Sequence, residues 1–518
     1  MNLDTISDGL ALLLQPMPLL WLVAGLCLGF LVGVLPGLST SNTAALLLPF
    51  AIGLPTESSL ILIVSIYAGA QFGGAVPAIL VNVPGEAGAA VTALDGYEFT
   101  KRGEPGLAIG IARMAAAIGG VVGGLVVLAL LGPLGRFALT FGARELFVVI
   151  LLGFVVASSL MGESVRKGLL VGLLGLLLAT VGGGPTTGQE RFTFGVLELY
   201  EGISFIPALV GLFAVSEMLI LVARHRGGPE SELDVPTLSL GQELRAAVRG
   251  ARETLRHKGT VGQSNALGIL LGLIPGIGTT IASFVSYSFA KRRSKTPERF
   301  GKGAPEGVIA AEACDSSAVG ATLVPTLTLG IPGSATMAVV LASLYLQGIQ
   351  PGPQVLISHG AEAYAAILAL ILASILIMPL GVLLASPLAM VTKVPAKYLV
   401  PCVLLASFAG SFAVRYSLFD VGVAIMFGLL GLVLRLHGYP VIPLVLGLVL
   451  GPLAEENLLR SLELGNNEIG YFFGSPTAVV LWALLALAAV YLYRQSRRTR
   501  RVEPATEAPT EEPAGRNA

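Results

Sequence analysis

Two stretches of this chain carry one pattern written twice. Gly29-Phe30-Leu31-Val32-Gly33-Val34-Leu35-Pro36-Gly37 and Gly268-Ile269-Leu270-Leu271-Gly272-Leu273-Ile274-Pro275-Gly276 both place a glycine at every fourth residue and end in a Pro-Gly break inside apolar sequence. A second pair of breaks follows in the same order: Val76-Pro77 then Val83-Pro84-Gly85 in the first half, Val324-Pro325 then Ile331-Pro332-Gly333 in the second. Proline removes an amide donor and glycine tolerates unusual dihedrals, so the backbone freed there needs protein or a cavity around it. Apolar helices broken at matching places of two halves point to a ligand site between two repeats.

The repeats lie in a membrane. Of 518 residues, 54% are hydrophobic and only 12% charged, about half the charge of an ordinary soluble domain, and several apolar runs suffice for a bilayer core of about 30 Å. The 65 glycines suit helices that approach through small faces. No Lys, Arg or His precedes Lys101, so the N-terminus lacks the basic region of a cleaved signal peptide and reads as mature sequence. A net charge of zero excludes nucleic acid as a partner. Cys27, Cys314 and Cys402 have no metal-ligand spacing and read as buried free thiols, and His225, His257, His359 and His437 read as structural or interfacial.

Charge then sets the organisation. Residues 1–224 read as a first transmembrane repeat with a hairpin bent at Pro36-Gly37, and residues 225–262 as a cytoplasmic or interfacial connector. Residues 263–493 read as a second repeat with a hairpin bent at Pro275-Gly276, and 494–518 as a disordered cytoplasmic tail. In the connector Leu244, Val248, Ala251 and Leu255 form an apolar helical stripe beside Arg245, Arg249, Arg252 and Arg256, the pattern of a helix lying in the interface. Lys291, Arg292, Arg293, Lys295, Arg299 and Lys302 fill the loop after the second Pro-Gly element, whereas the matching loop after the first has no base. Lys101 and Arg102 end the first repeat's second break unit, where the second repeat has uncharged Gln347 to Gln350. Both loop pairs predict opposite orientation of the two repeats. The uncharged run Gly259 to Ala290 would be about 48 Å as one helix, too long for one crossing and too short for two, which predicts a re-entrant hairpin. The fold class is therefore all-α and polytopic, with inverted-topology repeats, broken helices, re-entrant hairpins and an elevator-like movement. Scaffold helices are expected near 107–131, 146–160, 169–181, 203–222, 363–384, 398–412, 421–436 and 477–493.

Hydroxyls and an amide gather where each chain restarts: Ser39, Thr40, Ser41, Asn42 and Thr43 in one half and, after the site residue Gly278, Thr279, Thr280 and Ser283 in the other. Such residues cap helix N-termini, and the same amides with the helix dipole accept an anion. Two N-termini meeting at the midplane from opposite sides would suit an acid with carboxylates at both ends. With the breaks themselves, Pro36, Gly37, Pro275 and Gly276, they form the expected substrate site, joined by Asn82, Pro84, Gly85, Pro332, Gly333, Ser334 and Thr336. Asp315, Thr326 and Thr328 are the expected positions for a coupling Na+; no other cofactor is expected. Glu86, Glu306 and Glu312 read as either functional or structural, and Asp95-Gly96 reads as a helix end.

Val34-Leu35-Pro36-Gly37, Tyr67-Ala68-Gly69-Ala70-Gln71-Phe72-Gly73-Gly74, Leu94-Asp95-Gly96-Tyr97, Pro305-Glu306-Gly307-Val308 and Leu327-Thr328-Leu329-Gly330-Ile331-Pro332-Gly333-Ser334-Ala335-Thr336 resemble the TctA family. That family is the large membrane subunit of bacterial tripartite tricarboxylate transporters. The resemblance reaches to about Tyr493. It implies ion-coupled uptake of organic anions such as citrate through the inner membrane, with a small four-helix membrane subunit and a periplasmic solute-binding protein as partners. One departure is Cys314-Asp315-Ser316-Ser317, where the family is expected to carry an Asn-Asn pair after Glu312-Ala313. A carboxylate in place of an amide there needs a partner, a proton or a metal ion. A passive organic-anion channel is the alternative reading, since broken helices also line pores. Catalysis is not expected: Ser164-Val165-Arg166-Lys167 matches Ser-x-x-Lys without companion motifs, and no phosphate-binding loop is present.

Overall fold

The computed structural model describes residues 3–35, 39–51, 53–160, 164–184, 188–224, 239–275, 277–352, 354–391 and 396–499. Pro36, Gly37, Gly276, His225 with the rest of 225–238, and the tail from residue 500 lie outside these. A bilayer offers the backbone no hydrogen bonds, so a chain this apolar must satisfy its peptide groups within helices. Apart from a two-residue ribbon pairing Gly182–Gly183 with Glu190–Arg191, the regular structure is helical.

The first half runs α1 (Leu3–Leu13), α2 (Pro16–Gly33), α3 (Thr40–Ala51), α4 (Thr56–Val81), α5 (Ala89–Lys101), α6 (Pro105–Ala138), α7 (Ala143–Leu160) and α8 (Val165–Leu178). It closes with α9 (Phe205–Val210), a π-helical turn over Gly211–Val215, and α10 (Ser216–Arg224). The connector helix α11 (Leu240–Arg256) leads into α12 (Lys258–Gly272), α13 (Gly278–Arg293), α14 (Pro305–Leu329), α15 (Ala335–Leu346) and the short α16 (Val355–Ser358). Then come α17 (Gly360–Val391), α18 (Ala396–Arg415), α19 (Leu418–Leu436), α20 (Ile442–Leu464) and α21 (Pro476–Thr499). Among the described residues nine helical stretches are long and apolar enough to cross a membrane, in α2, α4, α6, α9 with α10, α14, α17, α18, α19 and α20.

The order helix, break, helix, buried helix, link, helix, long helix occurs in both halves. Its two buried helices, α4 and α14, end alike. Each carries a proline one turn from its end, Pro77 or Pro325, and stops at a left-handed residue, Asn82 (φ 57°) or Gly330 (φ 70°). In both, the proline carbonyl accepts the next residue's amide at 3.3 Å, from Val83 or Ile331. These prolines sit inside their helices and do not break them, contrary to the expectation from sequence; the breaks come five residues later.

The four-residue glycine rows are contact faces. A Cβ built at Gly29 of α2 would overlap the Ile66 carbonyl oxygen of α4, and one at Gly272 of α12 would stand 2.8 Å from that of Ala318 in α14. Only glycine lets these backbones pass so close. The halves interlock by exchange: α6 packs on α14 and α17 on α4, α11 on α6 and α1 on α17, α8 on α20 and α19 on the π-helical turn. Arg102, after α5, donates to the Lys302 carbonyl before α14. Gln347, after α15, donates to the Leu54 carbonyl before α4 at 3.1 Å.

Three sequence expectations change. Helix α20 was not among the expected scaffold spans, because Pro443 and Pro452 interrupt it and Glu455, Glu456 and Arg460 charge its end. Cys314 is buried, but Cys27 is half-buried and Cys402 exposed on α18. Asp95 is no helix end; it lies inside α5, fully buried, and accepts amides of Gly301, Gly303 and Ala304 at 2.8–2.9 Å and the Tyr287 hydroxyl at 2.9 Å. Ala304 at the start of α14 has no side-chain oxygen, so the cap comes from α5. Arg113, buried in α6, stands 3.6 Å from Glu243 and ties α11 to the bundle, while burial pushes the Glu243 carboxyl up and Arg113 opposes that rise.

Candidate functional site

The N-termini of α3, α13 and α15 converge on a cavity of about 650 Å³. Ser39, Ser41 and Asn42 line it from α3, Gly278, Thr279 and Thr280 from α13, and Ser334 and Thr336 from α15. Tyr67 and Gln71 of α4, Glu86 of the link to α5, Phe213, Arg435 and the segment Tyr439–Ile442 complete the lining. The hydroxyl clusters of the two halves, more than 230 positions apart in the chain, therefore face one space.

A chain of hydrogen bonds joins two of these N-termini. The Thr40 hydroxyl reaches Gln71 Oε1 at 3.0 Å and Glu86 Oε2 at 2.7 Å, and the Gln71 amide donates to Thr279 Oγ1 at 3.0 Å and to Asp315 Oδ2. Ser283 donates to Asp315 Oδ1 at 3.2 Å. Gln71 thus ties α3 to α13 through α4 and α14. Behind it, Thr92 donates to Glu312 one turn from Asp315. Glu86, Asp315 and Glu312 have no Lys, Arg or His within 4 Å among the described residues.

The three N-termini differ electrostatically. The amide of Thr40 donates to Glu86 Oε2 at 2.6 Å, so the start of α3 already holds a carboxylate of the protein. Ser334 caps α15 by accepting the Met337 amide at 3.3 Å. Helix α13 begins after Ile277, which has no capping side chain, so the dipole of α13 faces the cavity beside the Thr279 and Thr280 hydroxyls. Arg435 of α19, also in the lining, pairs with Glu217 and donates to the Leu212 carbonyl in the π-helical turn at 3.3 Å. Its Nε has no partner among the described residues, nor has the buried Oδ1 of Asn42.

Several expected site residues stand elsewhere. Asn82 is exposed at the end of α4, while Gly85 packs under Gly33 and donates to the Gly74 carbonyl at 3.1 Å. Pro84, Pro275, Pro332 and Gly333 do not line the cavity; Gly333 folds back on its own helix and donates to Thr326 Oγ1 at 3.3 Å. Pro36, Gly37 and Gly276 lie outside the described residues. Asp315, Thr326 and Thr328 cannot share one ion, because eleven residues of continuous helix put Thr326 about 16 Å along α14 from Asp315. The Thr326 and Thr328 hydroxyls instead bond carbonyls one turn back, at 2.6 and 2.7 Å. Among the described residues no three His, Cys, Asp or Glu side chains form a metal cluster. In the Ser-x-x-Lys match, Lys167 donates to the His437 carbonyl at 2.8 Å and Ser164 precedes α8, an anchor with no catalytic geometry.

Sequence reasoning left Arg435 and Tyr67 out of the site and Gln71 inside a motif without a role. The available signal was polarity: Gln71 is a lone amide between Ser65 and the end of α4, and Arg435 the one base of α19.

Comparison with known proteins gives three matches. The family model described as tripartite tricarboxylate transporter TctA family matches residues 19–446. The chain is similar to an Agrobacterium vitis protein described as an uncharacterized 52.8 kDa protein in the TAR-I ttuC' 3' region, with 38% identity over 499 residues, 96% of this chain and 98% of the relative. It is also similar to an uncharacterized protein in the TAR-II ttuC' 3' region of the same organism, 36% identical over 234 residues, 45% of this chain and 97% of the relative. No solved structure matches significantly.

Proposed function

Since this chain belongs to the tripartite tricarboxylate transporter TctA family, we propose that it is the permease subunit that carries organic acids across the bacterial inner membrane by ion-coupled secondary transport. The observation that carries this reading is the cavity that the uncapped start of α13 and Arg435 both line. A substrate carboxylate on the Thr279 and Thr280 hydroxyls and the α13 dipole gains up to about 2 kcal/mol from the dipole alone in a partly buried site. A second carboxylate reaches Arg435, the sole basic side chain lining the cavity among the described residues.

Coupling follows from the floor of the same cavity. Two carboxylates, Glu86 and Asp315, lie beside it without a basic partner, and an anion cannot settle over both while they stay uncompensated. A proton or Na+ that enters with the substrate removes that penalty and leaves with it. We place this cation at Asp315, with the Thr279 and Ser283 hydroxyl oxygens near it, rather than at Thr326 and Thr328. The end of α5 beside the start of α14, and the end of α15 beside the start of α4, support inverted repeats. In that arrangement the two break units move as one body against α6, α17 and the outer helices. A periplasmic solute-binding protein delivers substrate and a small four-helix membrane subunit completes the complex; the C-terminal arginines face the cytoplasm.

Proteoliposome uptake with the binding protein and the small subunit added tests the reading. Accumulation against a gradient is expected to require Na+ or a proton gradient, and Asp315→Asn to carry one positive charge fewer per substrate. Saturation lacking in the wild type, or conductance without accumulation, would instead establish a channel. Arg435→Gln is expected to raise KM about tenfold with a smaller change in maximal rate, as the loss of one charge-assisted bond predicts.

A further inference from the structure

On another side of the bundle a second groove opens, of about 470 Å³, between α6, α11 and α12. Its walls are apolar, with Ile118 and Val122 of α6, Leu255 of α11, and Val261 and Ile269 of α12. Lys258, the first residue of α12, stands exposed at one end and makes no ion pair among the described residues. The neighbouring acids are already engaged: Glu253 pairs with Arg256 at 2.9 Å and with His257 at 3.4 Å, and Glu306 faces His257 at 3.5 Å. Lys258 thus adds its charge to the amides at the start of α12, which has no capping side chain.

The second observation lies inside the groove. Asn265, two turns and about 10 Å along α12 from Lys258, is 4% exposed and lines the wall, yet its carboxamide oxygen has no partner among the described residues. A buried carboxamide left so costs free energy unless a ligand meets it. The flank carries the remaining feature. Helix α11 packs Ala247, Gly250 and Thr254 on the bundle and leaves Leu244, Val248 and Leu255 exposed beside the basic row of Arg245, Arg249, Arg252 and Arg256. An exposed apolar stripe bordered by bases belongs at an anionic membrane surface.

We propose that this groove holds an anionic phospholipid. Its phosphate sits on Lys258 and the N-terminus of α12, its glycerol ester region lies at the depth of the Asn265 amide, and one acyl chain runs past Val261, Val122 and Ile269. Charge complementarity selects the headgroup, since the one charged side chain lining the groove among the described residues is positive. A zwitterionic lipid fills the apolar part but gains less at the mouth.

Native mass spectrometry of the full chain, released from nanodiscs of equal phosphatidylglycerol and phosphatidylcholine, tests this. One phosphatidylglycerol per chain is expected to persist in the wild type. Lys258→Glu is expected to lower its retention about tenfold or more, to the level of phosphatidylcholine. Gly262→Trp fills the groove at a position where a Cβ meets nothing within 4 Å, and is expected to displace both lipids. Retention unchanged by Lys258→Glu overturns the proposal, and that variant alters an exposed side chain, so the test stands even if the tryptophan variant fails to fold. Displacement of the lipid by excess inorganic phosphate, or by the small membrane subunit, overturns it equally, by assigning the site to a free anion or to a protein.

Discussion

Asp95→Ala is expected to yield little folded protein. Its carboxylate is the cap of a helix 209 positions later in the chain, accepting three amides before α14 and the hydroxyl of Tyr287. Alanine leaves the Gly303 and Ala304 amides and the Tyr287 hydroxyl buried without an acceptor, while the Gly301 amide, at an exposed residue, can turn to solvent. Each such orphan costs about 1–3 kcal/mol, and although the losses are not additive, a destabilisation of at least about 3 kcal/mol is expected. Because α14 carries Asp315 and packs on α6, α12 and α13, the loss spreads through the centre of the molecule. Asp95→Asn keeps one oxygen for the amides and is expected to cost about 1 kcal/mol. Thermal unfolding of the detergent-purified variants compares them, and equal midpoints for wild type and alanine variant would remove Asp95 from this role.

Gln71→Leu is expected to cut transport about 100-fold while sparing the fold. Leucine has nearly the volume of glutamine and sits well in the buried α4, so packing survives. What is lost is the bridge: the acceptor of the Thr40 hydroxyl and the donor to Thr279 and Asp315. Asp315 then keeps Ser283 as its donor, and the start of α3 is no longer tied to that of α13. A hydrogen bond to a charged group contributes about 1.5–3 kcal/mol, so uptake is expected to fall about 100-fold. Uptake by proteoliposomes together with the unfolding midpoint separates the two effects. A variant that unfolds early would make Gln71 a packing residue, and one that transports normally would deny the bridge any part in the site.

Some of this was legible in the chain. Helix α2 ends at Gly33 and α12 at Gly272, each within its run of spaced glycines, and new helices start at Thr40 and Gly278. The hydroxyls after each break do line one cavity. Other parts were misread for identifiable reasons. Val76-Pro77 and Val324-Pro325 looked like breaks, but a proline near a helix end removes a single bond and the surrounding bundle holds the helix through it. Helix α20 was hidden because its prolines and acidic end blur an apolar run that packing against α7 and α8 restores.

By itself the sequence determined a polytopic, helical membrane protein with the same succession of breaks in each half, because charge content, run length and Gly-Pro spacing act on neighbours a few residues apart. The tertiary structure alone decided that Glu86, 46 residues downstream, occupies the start of α3 and leaves that of α13 to face the cavity. It also decided that Arg435 lines the same cavity. Hydrogen bonds and charges act through space at about 3 Å, and no local period records which distant side chain arrives at that distance.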